Sequence, residues 1–169
     1  MPGMMLHLDG SSHRWIGEEG PKWDLLATLD DATNEVYDAF FVPEENTRSV
    51  LQILRNTIDK KGVFCSLYTD RASHFVVTEK AGEKAEKRIR TQCQRALDNL
   101  GIKLIVAYSP QARGRGERLW RTFQGRLPQE LRVAKIIELD SLQQFRKSRA
   151  RFFRLDFKLL IVIGDECLT

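Results

Sequence analysis

The apolar residues of this 169-residue chain change their period in a fixed order, and that order restricts the fold more than any other feature. Residues 4–8 form a short, mostly apolar strand. A turn over Gly17–Pro21 follows, and Trp23–Leu29 and Glu35–Val42 read as two more strands, joined by the polar connection Asp30-Asp31-Ala32-Thr33-Asn34. Pro43, Glu44 and Glu45 suit the opening of a helix, where the acids complement the positive end of its dipole. Val50, Leu51, Leu54 and Ile58 form its apolar stripe, and Gly62 ends it. Val63–Thr69 reads as a fourth strand. A second helix runs from about Ala81 to Leu100, with Ile89, Cys93, Ala96, Leu97 and Leu100 on one face and Gly101 as its stop. Ile102–Ala107 is a fifth strand and Ser109-Pro110 opens a loop. Leu119, Phe123, Leu127 and Leu131 mark a third helical stripe, whose end Pro128 disturbs.

The length fits one domain, and 42% hydrophobic residues suffice for a normal core. The formal net charge is +4, a balance that permits nucleic acid as a partner without demanding it. Basic residues dominate from Lys103 to Lys158. Cys65, Cys93 and Cys167 have no metal-site spacing and read as buried free thiols of a reducing compartment. No signal peptide is evident. The longest apolar run near the end, Leu159–Ile163, is far short of the ~20 residues that span a bilayer, so a cytoplasmic protein without membrane contact is expected.

Three strands, then helix, strand, helix, strand, helix is the order of an α/β, ribonuclease H-like domain: a mixed five-stranded sheet flanked by helices. In that arrangement the first and fourth strands lie side by side. Asp9 and Asp70, which end or follow apolar strand runs, would then share one edge of the sheet, with Glu117 closing the group from the last helix. Burying an unpaired carboxylate costs several kcal/mol, and three converging acids repel one another unless a cation holds them. Hard oxygen donors select Mg²⁺ or Mn²⁺.

Three blocks carry a family resemblance. The first is Leu8-Asp9-Gly10-Ser11 with Leu29-Asp30-Asp31-Ala32-Thr33. The second is Tyr68-Thr69-Asp70-Arg71-Ala72-Ser73-His74-Phe75, with Phe75 five after the acid. The third is Ser109-Pro110-Gln111-Ala112-Arg113-Gly114-Arg115-Gly116-Glu117-Arg118-Leu119. With these, the chain resembles the integrase catalytic core of DDE transposases and retroviral integrases, and most of all bacterial insertion-sequence transposases. The resemblance covers roughly residues 4 to 136. Some positions depart from the pattern. Gly116 stands where an apolar residue is usual and, at a helix cost of about 1 kcal/mol relative to alanine, predicts a helix that starts late. Trp120 stands where many relatives have Asn. The interval from second to third acid is longer than in retroviral integrases, with Gly82–Arg90 as the extra segment.

The resemblance implies DNA transposition or integration: hydrolysis and strand transfer at transposon ends with two divalent ions, Mg²⁺ or Mn²⁺. Asp9 would bridge both ions, with Asp70 holding one and Glu117 the other. The implied partners are transposon-end and target DNA and further copies of the chain, as a homodimer or a higher assembly. Arg113, Arg115, Arg118 and Arg121 crowd the loop and helix of Glu117, and their planar forks suit phosphate. The helix-turn-helix region usual in such transposases does not precede Asp9, and the resemblance fades after about Gln144. The chain therefore reads as a truncated core over residues 1–145 with a divergent basic and apolar tail over 146–169. Two other readings accompany this one: an inactive remnant that only binds DNA or dimerises, and a stand-alone nuclease of the same fold.

Other polar groups have plainer readings. Asp30 and Asp31 suit turn chemistry. His7, His13 and His74 flank the acids and suit packing or surface positions. Lys80, Lys84, Lys87, Arg88 and Arg90 fit the outer face of the second helix.

Overall fold

The computed structural model describes residues 1–77, 90–107, 114–139 and 141, with backbone only for 114–116. Along the chain come β1 (Met5–His13), β2 (Trp23–Asp30), β3 (Val36–Val42), α1 (Thr47–Lys61), β4 (Ser66–Thr69), α2 (Gln92–Asn99), β5 (Lys103–Val106) and α3 (Gly114–Val133). The strands form one mixed sheet in the order β3-β2-β1-β4-β5. β1 and β2 pair antiparallel, as do β2 and β3, whereas β4 runs parallel to both β1 and β5. The expected element order and the side-by-side placement of the first and fourth strands are what the molecule has.

Side-chain alternation divides the sheet into two apolar faces. On one, Leu25, Ala27 and Leu29 of β2 and Phe41 of β3 pack with Leu119, Phe123, Leu127 and Leu131 of α3. On the other, Leu6, Leu8, Leu26 and Phe40 pack with Val50, Ile53 and Leu54 of α1 and Cys93 and Leu97 of α2. β2 lies between β3 and β1 and is buried on both faces. Its one buried hydroxyl, Thr28 Oγ1, meets Thr57 Oγ1 of α1 at 2.8 Å.

Several boundaries differ from the sequence reading, each for a physical reason. β1 runs through Asp9 to His13, because its polar half pairs with β2 as far as His13↔Trp23. β4 starts only at Ser66, and Val63 and Cys65 are exposed; of the other cysteines, Cys93 is buried and Cys167 lies outside the described residues. Burial pushes the Cys93 thiol up to about 11, which keeps it protonated and inert. α1 opens at Thr47, not at Pro43. Asn46 and Ser49 form a reciprocal cap, with Asn46 Oδ1 accepting the Ser49 N–H at 3.0 Å and Ser49 Oγ accepting the Asn46 N–H at 2.9 Å. Glu44 and Glu45 precede this cap, and no acid lies in the first turn of α1, so dipole complementation is not their role.

α3 starts at Gly114 and runs through Pro128 to Val133. Proline inside a helix costs about 3 kcal/mol. Leu127 and Leu131 on either side of it are fully buried, and each contributes roughly 1.5–3 kcal/mol. The flanking burial therefore offsets the proline, and the same argument covers the smaller penalty at Gly116. The 81–91 part of the expected second helix, with the Gly82–Arg90 segment, falls mostly outside the described residues. Of its basic run only Arg90 is described, paired with Asp98 at 2.7 Å.

Asp30 closes the β2–β3 turn, as turn chemistry demands. Its fully buried carboxylate accepts N–H bonds from Gly3 at 2.7 Å and Thr33 at 2.9 Å, and the Thr33 hydroxyl at 2.8 Å. Burial alone would raise its pKa, but these bonds and one from the Tyr37 side chain hold it below the usual carboxylate value. A depressed folded pKa stabilises the protein above the unfolded value and loses that contribution as pH falls through the folded one. Asp30→Ala is therefore expected to cost about 2–3 kcal/mol at neutral pH by stranding buried donors. In urea titrations from pH 6 to pH 3, the gap between wild type and variant should narrow at the acid end.

Candidate active site

Parallel pairing sets the first two acids side by side. His7 of β1 stands opposite Tyr68 of β4, and two residues further along each chain lie Asp9 and Asp70. Both acids line one small cleft with His7, Leu8, Tyr68, Thr69 and Ala107. Asp9 sits within β1, its Oδ1 accepting the Gly10 N–H at 3.0 Å. Asp70 follows the last residue of β4, and its Oδ1 accepts the Ala72 N–H at 2.9 Å, which tightens the turn after the strand. Phe75 is fully buried among residues of the α1/α2 face and fastens that turn to the core.

α3 lies along β1 through a ladder at helical spacing. Trp120 Nε1 donates to Asp9 Oδ2 at 2.9 Å, and Gln124 Nε2 donates to Ser11 Oγ at 2.9 Å. Positions 117, 120 and 124 fall on one side of a helix. Glu117 is therefore the next rung, one turn towards the helix N-terminus, in the first turn of α3 and exposed to solvent. It does not line the cleft shared by Asp9 and Asp70. Among the described residues, no group of three or more His, Cys, Asp or Glu stands close enough together to hold a metal ion.

The cleft nevertheless fits a hard cation. Two carboxylates, Asp9 and Asp70, line it, and carboxylate oxygens are the hard donors that Mg²⁺ and Mn²⁺ take.

The histidines have structural partners. His7 Nε2 lies 2.9 Å from Asp31 Oδ1, and its ring tilts against Tyr68. His13 stacks edge-on with Trp15. His74 Nε2 meets Glu45 Oε1 at 2.7 Å, while Glu45 Oε2 lies so close to Gly10 that a Cβ there would collide with it. This link ties the turn after Asp70 to the residue after Asp9. Of the four arginines expected to meet phosphate, Arg118 and Arg121 are exposed on α3. The side chain of Arg115, and all of Arg113 with its loop, lie outside the described residues.

Sequence reasoning assigned no role to Trp120 or the Glu45–His74 pair. Trp120 carried a legible signal, since it stands three residues after Glu117 on the same helix side.

No family model matches the chain. It is 35% identical over 164 residues to the Sinorhizobium fredii protein y4bF, which carries the name of a transposase; the match takes in 97% of this chain and 35% of that protein. It is 32% identical over 155 residues to the transposase of insertion sequence IS1202 from Streptococcus pneumoniae, covering 92% of this chain and 33% of the relative. The chain thus spans about a third of the length of these curated relatives. In fold it is similar to the HTLV-2 integrase catalytic core domain solved in complex with magnesium, with a TM-score of 0.62 at 16% identity, over 84% of this chain and 80% of that one. It also matches a chain of the simian T-cell lymphotropic virus intasome complex with a PP2A regulatory subunit, with a TM-score of 0.66 at 16% identity, over 86% of this chain and 47% of that one. No helix among the described residues is long and apolar enough to cross a membrane.

Proposed function

We propose, for a chain related to transposases and built on the fold of integrase catalytic cores, that it carries out metal-dependent cleavage and joining of DNA phosphodiesters during transposition. Asp9 and Asp70 would hold the divalent ions, and Glu117 would complete the set from α3. The single observation that carries this reading is the meeting of Asp9 and Asp70 in one cleft on neighbouring parallel strands.

Mg²⁺ or Mn²⁺ held by these acids would polarise the phosphate and make the attacking oxygen more acidic. The chain's own residues do the rest. Strand β1 holds Asp9 at a fixed height against the turn after β4 that carries Asp70, so the two carboxylates share one side of the sheet. Glu117, in the first turn of α3 one helical turn before Trp120, would complete the set from that helix end. Exposed Arg118 and Arg121 flank it, and their guanidinium groups hold phosphate in register without reading bases. Arg113 and Arg115 add two further basic residues just before Glu117 in sequence. The acting unit is residues 1–145, working as a dimer or larger assembly on transposon ends and target DNA, with 146–169 as an appended tail.

A pre-cut end duplex taken from the DNA flanking the coding sequence, incubated with target plasmid and Mg²⁺, should yield joined product. The Asp70→Asn variant should yield none. Cleavage without joining would indicate a simple nuclease, and full joining by Asp70→Asn would overturn the proposal. DNA affinity should also fall with salt. Replacing both Arg118 and Arg121 with Ala should flatten the log–log salt dependence by roughly 1 per lost phosphate contact. Filter binding at 50–200 mM salt reads that change directly.

A further inference from the structure

We infer that Trp120 is a positioning residue for the metal site, a strut that sets the Asp9 carboxylate and the helix of Glu117 in one fixed relation. The inference rests on the reading of Asp9 as a metal-holding acid. Its observation is the 2.9 Å bond from Trp120 Nε1 to Asp9 Oδ2.

The bond spans the two elements that matter. Asp9 is on β1 and Trp120 is on α3, three residues past Glu117. Trp120 is itself anchored: it is 8% exposed, packs in the apolar cluster with Ala27 and Leu119, and tilts against Phe123 at 5.9 Å between ring centroids. Ala27, the β2 partner of Asp9, is one of two alanines in that cluster. A buried indole so fixed has little freedom to turn, so the direction of its N–H is set by packing.

The chemistry suits orientation, not ligation. Indole Nε1 is a donor only and cannot bind a cation, whereas an ionised carboxylate has about four acceptor positions. The Gly10 N–H takes one position on Oδ1 at 3.0 Å and the indole takes one on Oδ2. These two donors fix the carboxylate plane, and neither can itself bind a cation. Partners of this kind typically account for 10–100-fold in metal affinity when removed. Because the strut begins on α3, its loss would also loosen Glu117 relative to Asp9.

Trp120→Phe keeps a packed ring and removes the N–H. The full chain labelled at indole nitrogen gives signals for Trp15, Trp23 and Trp120, and the one missing from the variant identifies Trp120. In metal-free protein, Asp9→Ala should move the Trp120 signal and leave that of Trp15, which donates to the Trp23 carbonyl at 2.8 Å. In a Mn²⁺ titration the Trp120 signal should broaden ahead of the other two. Trp120→Phe should raise the Mn²⁺ concentration at half-saturation roughly 10–100-fold at a temperature where both proteins are fully folded. An unmoved Trp120 signal in Asp9→Ala, or equal Mn²⁺ affinity in Trp120→Phe, overturns the inference while wild-type binding still supports the function proposed above. Failure of wild type to bind Mn²⁺ overturns that function, and this inference with it.

Discussion

Asp9→Asn is expected to lower metal-dependent strand transfer by about 10³-fold or more, a loss of roughly 4 kcal/mol of transition-state stabilisation. The substitution is nearly isosteric at a partly buried position of β1. The asparagine carbonyl can still accept the Trp120 indole, at the cost of the short-range bond from the Gly10 N–H, which then faces the amide nitrogen. What disappears is the negative charge and the second oxygen with which Asp9 would hold the divalent ions. Joining rates at saturating Mg²⁺ for wild type and variant, compared with their urea midpoints, separate the catalytic effect from any structural one. The expected pattern is a collapse in rate with a stability change under about 1 kcal/mol. A variant that joins DNA at the wild-type rate would remove Asp9 from the chemistry.

The largest expected effect on stability lies at Leu127. It is fully buried at the centre of the stripe that holds α3 to β2 and β3. Leu127→Ala removes its transfer free energy and leaves a cavity next to Pro128, where the helix already lacks one backbone bond and cannot easily collapse inward. A loss of about 3–5 kcal/mol follows, at the upper end for such substitutions. Denaturant unfolding measures it. Since α3 also carries Glu117 and Trp120, activity should fall at temperatures well below the unfolding midpoint. A loss under ~1 kcal/mol would mean that α3 is held by something other than this stripe.

Much of the fold was legible because its signals are local. Gly62 and Gly101 end their helices with φ of 84° and 68°, conformations that suit glycine and penalise other residues. The α3 stripe of Leu119, Phe123, Leu127 and Leu131 is buried throughout. What was missed depends on distant partners. The second half of β1 has no apolar run, because Asp9 and Ser11 face α3 and are met by Trp120 and Gln124, more than a hundred residues away in sequence. Nothing near Asp9 announces those partners. Glu44 and Glu45 suggested a helix start, but the Asn46–Ser49 cap satisfies the backbone more directly and leaves Glu45 to meet His74. The pairing of Asp9 with Asp70 followed from strand order alone. The reach of Glu117 did not, since it depends on how α3 is seated on β1.

The proposed function requires that Asp9, Asp70 and Glu117 together hold the divalent cations. Calorimetric titration of the full chain with Mn²⁺, beside Asp9→Asn, Asp70→Asn and Glu117→Gln, tests this most directly. The expected result is saturable binding by wild type, none or nearly none by the two aspartate variants, and clearly weakened binding by Glu117→Gln. Wild-type affinity retained in either aspartate variant, or no saturable binding by wild type, would contradict that function.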